Sequence, residues 1–206
     1  MEREARKERE FKTRRAEILG QAEKIFAAKG FYNVTMAEIA SASGFSIGSL
    51  YQYFEGKENL YTSIFTEKLD LMHEQVRKKV NASSGIAQKI ETIISVHFQF
   101  VENNVDFGRL FIRGENDAPS EILTSLHQKI MDGHSLHLDF IAGVLENGTK
   151  NGFIRDLPSR DMAEALFGLI RAAAINWLLF PKNISLYSKK NFILDIFLRG
   201  VKLNEK

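Results

Sequence analysis

The sequence predicts an all-α fold, and three observations lead to it. Apolar residues recur at three- and four-residue intervals along most of the 206-residue chain. Only 3 prolines interrupt it, and proline is what a helix interior tolerates least. Hydrophobic residues make up 44% and charged residues 26% of the chain, a balance that supports a packed core rather than disorder.

The elements follow in order. From Arg14 to Lys29, residues Ile18, Leu19, Ala22, Ile25 and Phe26 fall on one stripe, and Gly30 ends that helix as a C-terminal glycine does. Residues 31–34 form a linker. Thr35 then supplies an N-cap hydroxyl, and Glu38 completes a capping box for a short helix from Met36 to Ala42 or Ser43. Gly44 breaks it. Ser46 caps a second short helix, Ile47 to Phe54. Lys57 opens a long helix to about Val80, so Glu55-Gly56 separates a head, residues 1–57, from a body, residues 58–206. The body continues with helices over 86–104, 107–113 and 119–147. It ends with one over 159–180, which has Ser159 as N-cap and Pro181 as stop, and another over 188–202. Loop-forming runs at 81–85 and 147–152 punctuate it.

Several classes are set aside by composition. There is no cysteine, which excludes disulfides and thiolate metal sites and fits a cytoplasmic location. The N-terminus is a charge run, not an apolar secretory leader. The most apolar run, Leu166 to Phe180, is short for a bilayer and carries Arg171, so a buried helix is expected and no membrane partner. Formal net charge is +2, and the excess lies within residues 1–57. Residues 1–15 hold 7 basic and 4 acidic side chains, either as a basic arm near phosphates or as a solvated helix start.

Thr35 to Phe54 has the spacing of a helix-turn-helix, two helices joined by a short turn that contains Gly44. Ile39, Phe45, Leu50 and Phe54 are spaced to form its small core. Ile47, Gly48, Ser49, Tyr51, Gln52 and Tyr53 remain for the outer faces of the second helix. Gln52 can bond adenine bidentately and Ser49 can reach either partner of a base pair. The hydroxyls of Tyr51 and Tyr53 suit phosphate oxygens, Lys57 could share a phosphate with the helix it opens, and the capping residues Thr35 and Ser46 are further candidates for DNA contact. No Lys or Arg lies between Lys29 and Lys57, so this face is neutral.

At these residues the chain resembles a known family. The runs Thr35-Met36-Ala37-Glu38-Ile39-Ala40, Gly44-Phe45-Ser46-Ile47-Gly48-Ser49-Leu50-Tyr51-Gln52-Tyr53-Phe54 and Gly56-Lys57-Glu58-Asn59-Leu60 look like the tetracycline-repressor (TetR) family, as does Ala27-Ala28-Lys29-Gly30-Phe31 before them. Ser43 departs from it, where alanine is usual before the turn glycine. The resemblance implies nine helices, a three-helix DNA-binding head, a larger ligand-binding body and a homodimer. It implies a repressor on a palindromic double-stranded operator, released when a small effector alters the ~34 Å separation of the two reading helices. The competing reading is a helical small-molecule-binding protein without sequence-specific DNA binding, favoured by the neutral face. An all-helical enzyme would need a nucleophile–base pair or a phosphate loop. None stands out, so neither catalytic residues nor a cofactor are expected.

The body is read on its own chemistry. His97, Phe100, Phe111, Met131, Phe140 and Phe167 are candidates for an apolar effector pocket, against the plainer reading of aromatic core. Arg171 sits in an apolar helix, and a buried guanidinium needs an anion. That anion could be Glu115 or Asp117, or a carboxylate or phosphate of the effector. His134 and His137 lie one turn apart near Asp132, but without a convincing third ligand no metal is expected. Ala165, Gly168 and Ala172 form a small-residue stripe, and Phe192, Ile196 and Phe197 belong to an apolar one. Together they suit a dimer seam, or else face the chain's own core. The expected effector is an elongated apolar molecule with an acidic head, such as a long-chain acyl compound. The helix layout loosely resembles family members that respond to fatty acyl-coenzyme A. A lipophilic cation is the competing class.

Overall fold

The computed structural model describes residues 2–113, 118–180 and 183–202. Among them are nine α-helices: α1 Glu2–Lys29, α2 Met36–Ser43, α3 Ile47–Leu50, α4 Lys57–Asn81, α5 Ile86–Asn103, α6 Val105–Arg113, α7 Ser120–Lys150, α8 Ser159–Leu179 and α9 Lys190–Val201. A 3₁₀ turn over Leu186–Lys189 precedes α9, and an isolated β-bridge joins Ile154 to Lys202. The all-α expectation is met.

Several boundaries differ from those read in the sequence. α1 starts twelve residues before Arg14, at Glu2. Its added turns are solvent-exposed and have no apolar stripe to announce them. They are laced by the i,i+4 pairs Arg6–Glu10 and Glu8–Lys12. α3 is shorter than expected because its backbone tightens after Leu50: the amides of Gln52 and Tyr53 donate to the carbonyls three residues back. Pro158, not Ser159, holds the N-cap position of α8, with no side-chain cap bond. Pro181, expected to stop that helix, lies outside the described residues, as do Glu115 and Asp117.

α8 matches the helix expected over 159–180 to within one residue and extends beyond the apolar run that starts at Leu166. By length and composition it could cross a membrane, a test that the core helix of a globular domain also passes. Met162, Ala163, Leu166, Ile170 and Ala174 on one side of it are buried in protein.

The chain forms two compact units: Met1–Lys68 with Asp106–Lys129, and Leu69–Val105 with Ile130–Lys206. They do not divide at residue 57, because α4 runs on without a breaker. The first unit also takes in α6, whose Phe107 and Leu110 are buried and whose Phe107 ring lies 5.9 Å from Phe65. The first unit's core continues through Ile18, Ala22 and Phe26 of α1, Phe31, Ile39 of α2, Leu50 of α3, Phe54, and Leu60, Tyr61 and Ile64 of α4. Rings of Phe26 and Phe31 each lie 5.1 Å from Tyr61, edge to face.

The second unit's core is mainly aliphatic. Val76 and Val80, Ile90, Ile93 and Ile94 of α5, Ile141 and Leu145 of α7, Leu166 and Ile170 of α8, and Ile193 and Phe197 of α9 form one cluster. The end of α7 packs tightly against the loop that follows it. A Cβ on Gly148 of α7 would come 2.7 Å from Ile154 Cδ1 and 2.9 Å from Ile86 Cγ2, so a larger residue there would force those side chains to shift.

Candidate functional site

The helix-turn-helix is assembled by caps that the sequence announces. Thr35 Oγ1 accepts from the Glu38 amide at 3.2 Å, and Ser46 Oγ accepts from the Ser49 amide at 3.1 Å. Between them Gly44 holds φ 75, the left-handed conformation that reverses the chain, and its amide donates to the carbonyls of Ala40 and Ser41. Ile39, Leu50 and Phe54 are buried beneath, and Phe45 is half-buried. This orientation leaves Ile47, Gly48, Tyr51 and Gln52 on the outside, with Tyr51 at 53% exposure. Thr35 and Ser46 are exposed too. A cap hydroxyl spends its lone pair on the helix and keeps its own proton for another acceptor. Ser49 is half-buried and its Oγ lies 2.8 Å from that of Ser46.

Two of the expected interface residues are used differently. Lys57 Nζ donates to the carbonyls of Phe31 at 3.1 Å and Val34 at 3.0 Å, 4.3 Å above the Phe31 ring. It ties the linker after α1 to the start of α4. Tyr53 is half-buried. Its ring stacks on Phe11 at 4.7 Å and meets Phe45 edge-on at 6.1 Å.

Sequence reasoning missed Arg15. Its Nη1 donates to the Tyr53 carbonyl at 2.5 Å, its Nη2 to Ser63 Oγ at 3.1 Å, and Nη2 and Nε both to Glu67 Oε1, at 2.6 and 3.0 Å. The guanidinium also lies 4.2 Å over the Phe54 ring. One side chain of α1 thus joins α4 and the end of the reading segment. Nothing in the local sequence marks it, because its partners are 38 to 52 residues away.

In the second unit, polar chemistry concentrates where four histidines meet: His73 of α4, His97 of α5, and His134 and His137 of α7. His97 Nδ1 lies 2.7 Å from the Ile93 carbonyl. A carbonyl only accepts, so Nδ1 carries the proton and Nε2 the lone pair. His97 Nε2 lies 3.1 Å from His137 Nε2, which must therefore donate. His137 Nδ1 is then a bare acceptor, and it is buried without a hydrogen-bond partner. The His73 ring stacks on that of His137 at 4.2 Å, and the His134 ring lies 4.5 Å from Phe167.

Burial is the main cause that pushes His73 and His97 down to about 4. His73 is lowered further by His97, Arg77 and His134. For His97, the Ile93 hydrogen bond pulls the other way. Burial, then His97 and His73, also push His137 far down. His134 is lowered by burial, Arg160 and Arg171, against Glu164. Among the described residues no three His, Asp or Glu side chains are arranged to hold a metal ion. The sequence marks only His97 and the His134–His137 pair; His73 lies on another helix, and no spacing rule links it to them.

The expected effector-lining residues do not form one set. His97 and Phe100 are buried, and Phe140 and Phe167 half-buried. Phe100 borders a recess of about 300 Å³ that is also lined by Leu71, Gln75, Lys79, Val96 and Gln99. Phe111 is exposed and belongs to the first unit, 6.3 Å from Phe65. Met131 is exposed. Arg171 is exposed as well, which corrects the reading of a buried guanidinium: α8 buries the face of Leu166 and Ile170, and Arg171 falls one step around the helix.

The stripe of Ala165, Gly168 and Ala172 on α8 is exposed, as are Phe192, at 63%, and Ile196 on α9. Phe197, expected beside them, is buried in the second unit's own core. Phe192 and Ile196 are four residues apart on the outer side, while Ile193 and Phe197 are four apart on the inner one.

Known proteins resemble this chain along most of its length. Residues 18–64 match the model for bacterial regulatory proteins of the tetR family, and residues 65–200 match the C-terminal region of YsiA-like proteins. A fatty acid metabolism regulator protein of Bacillus subtilis is 24% identical over 90% of this chain and 94% of its own. The transcriptional repressor KstR2 of Rhodococcus jostii is 22% identical over 91% of each chain. The crystal structure of the regulator FadR from Bacillus subtilis in complex with stearoyl-CoA superposes with TM-score 0.78 at 23% identity, over 90% of this chain and 98% of that one. With its reading segment and its second unit both matched, the chain belongs to the tetR family of bacterial regulatory proteins.

Proposed function

We propose that this regulator is a homodimeric repressor that grips a palindromic operator through Ile47–Tyr53 and is released by a long-chain acyl-coenzyme A. The observation that carries the effector class is likeness along nine-tenths of the chain to a regulator solved with stearoyl-CoA. The chain's own chemistry is compatible with that class. Its second unit is aliphatic and aromatic inside, as an acyl chain requires. Arg171 is exposed on α8, and a guanidinium in that position suits the phosphates of a coenzyme head better than a buried carboxylate. Tyr51 and the hydroxyls of Thr35 and Ser46 serve phosphates, and Gln52 reads a base.

The test is release of a fluorescent operator duplex selected from random DNA by the protein itself. Stearoyl-CoA should weaken binding at least tenfold, and free coenzyme A and tetraphenylphosphonium should not. Arg171→Leu should blunt the response to stearoyl-CoA. Release by the lipophilic cation alone would overturn the effector class, and an unaltered response in Arg171→Leu would remove that residue from the site.

The dimer rests on the exposed small-residue stripe of α8 and the exposed Phe192 and Ile196 of α9. Large apolar side chains left in water mark an interface, and two-fold pairing of such stripes is self-complementary. Ala172→Glu and Phe192→Glu should each yield folded monomers that no longer hold the operator. Sedimentation of the wild-type protein as a monomer at micromolar concentration would count against the seam.

A further inference from the structure

We infer that the four-histidine cluster of the second unit is a recognition site for a hydrogen-bond donor on the effector, received by His137 Nδ1. The inference rests on the acyl effector proposed above and deepens it: the molecule presents an O–H or N–H group inside the unit, not hydrocarbon alone.

Three observations support it. First, the cluster is costly for the fold. His73, His97 and His137 are buried, in a unit whose core is otherwise mainly aliphatic. Apolar side chains of like size would fill the same space with no polar atom to satisfy.

Second, the cost falls on one defined atom. The Ile93 carbonyl fixes the proton of His97 on Nδ1, His97 Nε2 accepts from His137 Nε2, and His137 Nδ1 keeps its lone pair. Among the described residues nothing donates to that atom, and His137 is only 1% exposed. His73 offers it no N–H, because the two rings lie face to face, 4.2 Å apart at 15°. Burial lowers the proton affinity of His137, so the lone pair stays available at neutral pH. Such an atom calls for a partner. A thioester or carboxylate oxygen only accepts, so the partner is a hydroxyl or an amide N–H.

Third, polarity is graded from solvent inward to this atom. Arg171 of α8 is exposed, and Phe167, one turn before it, is half-buried beside half-buried His134, their rings 4.5 Å apart. The Phe167 ring lies 5.8 Å from that of His97 and 6.4 Å from that of His137. An effector with its anionic head at Arg171 and its chain along Phe167 brings the group behind the head to His137. In an acyl-coenzyme A, two groups supply the donor: an amide of the pantetheine arm, or a hydroxyl on the acyl chain.

Calorimetric titration with stearoyl-CoA and its β-hydroxy and ω-hydroxy derivatives tests this on wild type, His137→Gln and His137→Asn. The Gln carboxamide reaches the position of Nε2, so it keeps a donor for His97 and removes the acceptor. The Asn carboxamide reaches the position of Nδ1 and restores an acceptor there. If a chain hydroxyl is the donor, a hydroxy derivative should bind wild type about tenfold tighter than stearoyl-CoA, and His137→Gln should abolish the difference. If the pantetheine amide is the donor, His137→Gln should weaken all three compounds alike, by about tenfold. Either way His137→Asn should recover part of the loss. Equal affinities of wild type and His137→Gln for every compound overturn the inference, and a loss shared in full by His137→Asn marks a purely structural role and overturns it too. Should the variants unfold, nitrogen NMR of the wild-type histidine side chains decides. The His137 Nδ1 resonance should move upfield when the tightest binder is added, and an unmoved resonance overturns the inference. Failure of wild type to bind any of the three compounds would instead overturn the acyl effector itself.

Discussion

The second unit should lose stability steeply as the pH falls from 6.5 toward 4. His73, His97 and His137 are buried, and burial holds each below its ordinary value of 6.5, to about 4 for His73 and His97. The folded protein therefore keeps these rings neutral while the unfolded chain protonates them. Their contribution to stability is whole above pH 6.5 and is lost as the pH falls through that window to the folded values. Charged groups beside the cluster reinforce this. Arg77, Arg160 and Arg171 raise the cost of another cation, and Glu164, acting on His134, is the acidic residue that opposes them. A tenfold change in proton affinity corresponds to about 1.4 kcal/mol, so His97, fully enclosed, contributes on the order of 3 kcal/mol.

Urea unfolding at pH 7, 6, 5 and 4.5 should show a falling midpoint, and unfolding at pH 5 should take up about two to three protons. The paired variant His97→Leu/His137→Leu removes both members of the hydrogen bond at once, so neither partner is orphaned. Its stability should vary much less with pH below 6.5. A wild-type midpoint that stays flat from pH 7 to 5 would falsify the assignment of buried neutral imidazoles.

Replacement of Arg15 should cost DNA affinity although the residue faces no DNA. Its guanidinium joins Tyr53, Ser63 and Glu67 and covers the Phe54 ring. Arg15→Leu releases the carbonyl at the end of the reading segment and leaves Glu67 without its cation. The Glu67 side is partly exposed, so that ion pair counts for little beyond its hydrogen bonds. The Tyr53 and Ser63 bonds, made by a half-buried charged donor, carry most of the effect. A loss of about 2–3 kcal/mol follows, or roughly 5–10 °C in melting temperature. Operator affinity should fall at least tenfold, because Tyr51 and Gln52 lose their fixed geometry.

The salt slope should not change, since this cation neutralises no phosphate. Arg15→Lys should recover only part of the loss, as an ammonium cannot make the same fork. Full operator affinity in Arg15→Leu, measured by fluorescence anisotropy, would rule out the positioning role.

Local physics was legible in the sequence. The two hydroxyl caps, the left-handed glycine between them and the inward set Ile39, Leu50 and Phe54 were all readable, because each depends on neighbours within a few residues. The family resemblance is carried by the same stretch. Periodicity likewise placed the body's helices to within a few residues of their observed ends.

What only the tertiary structure decided is where residues distant in sequence meet, and which side of each helix turns inward. Lys57 reads as a phosphate ligand until the carbonyls of Phe31 and Val34 are found around it. Arg171 reads as buried until α8 is seen to turn Leu166 and Ile170 inward instead. Phe197 and Phe192 have the same chemistry, yet α9 hides one and exposes the other. The histidine cluster draws on three helices, and the tautomer of His137 follows from a carbonyl on a different helix through His97. Helical periodicity fixes only spacing along one helix. The rotation of that helix about its axis is set by packing against the others, and that decides which of two equally spaced stripes is buried.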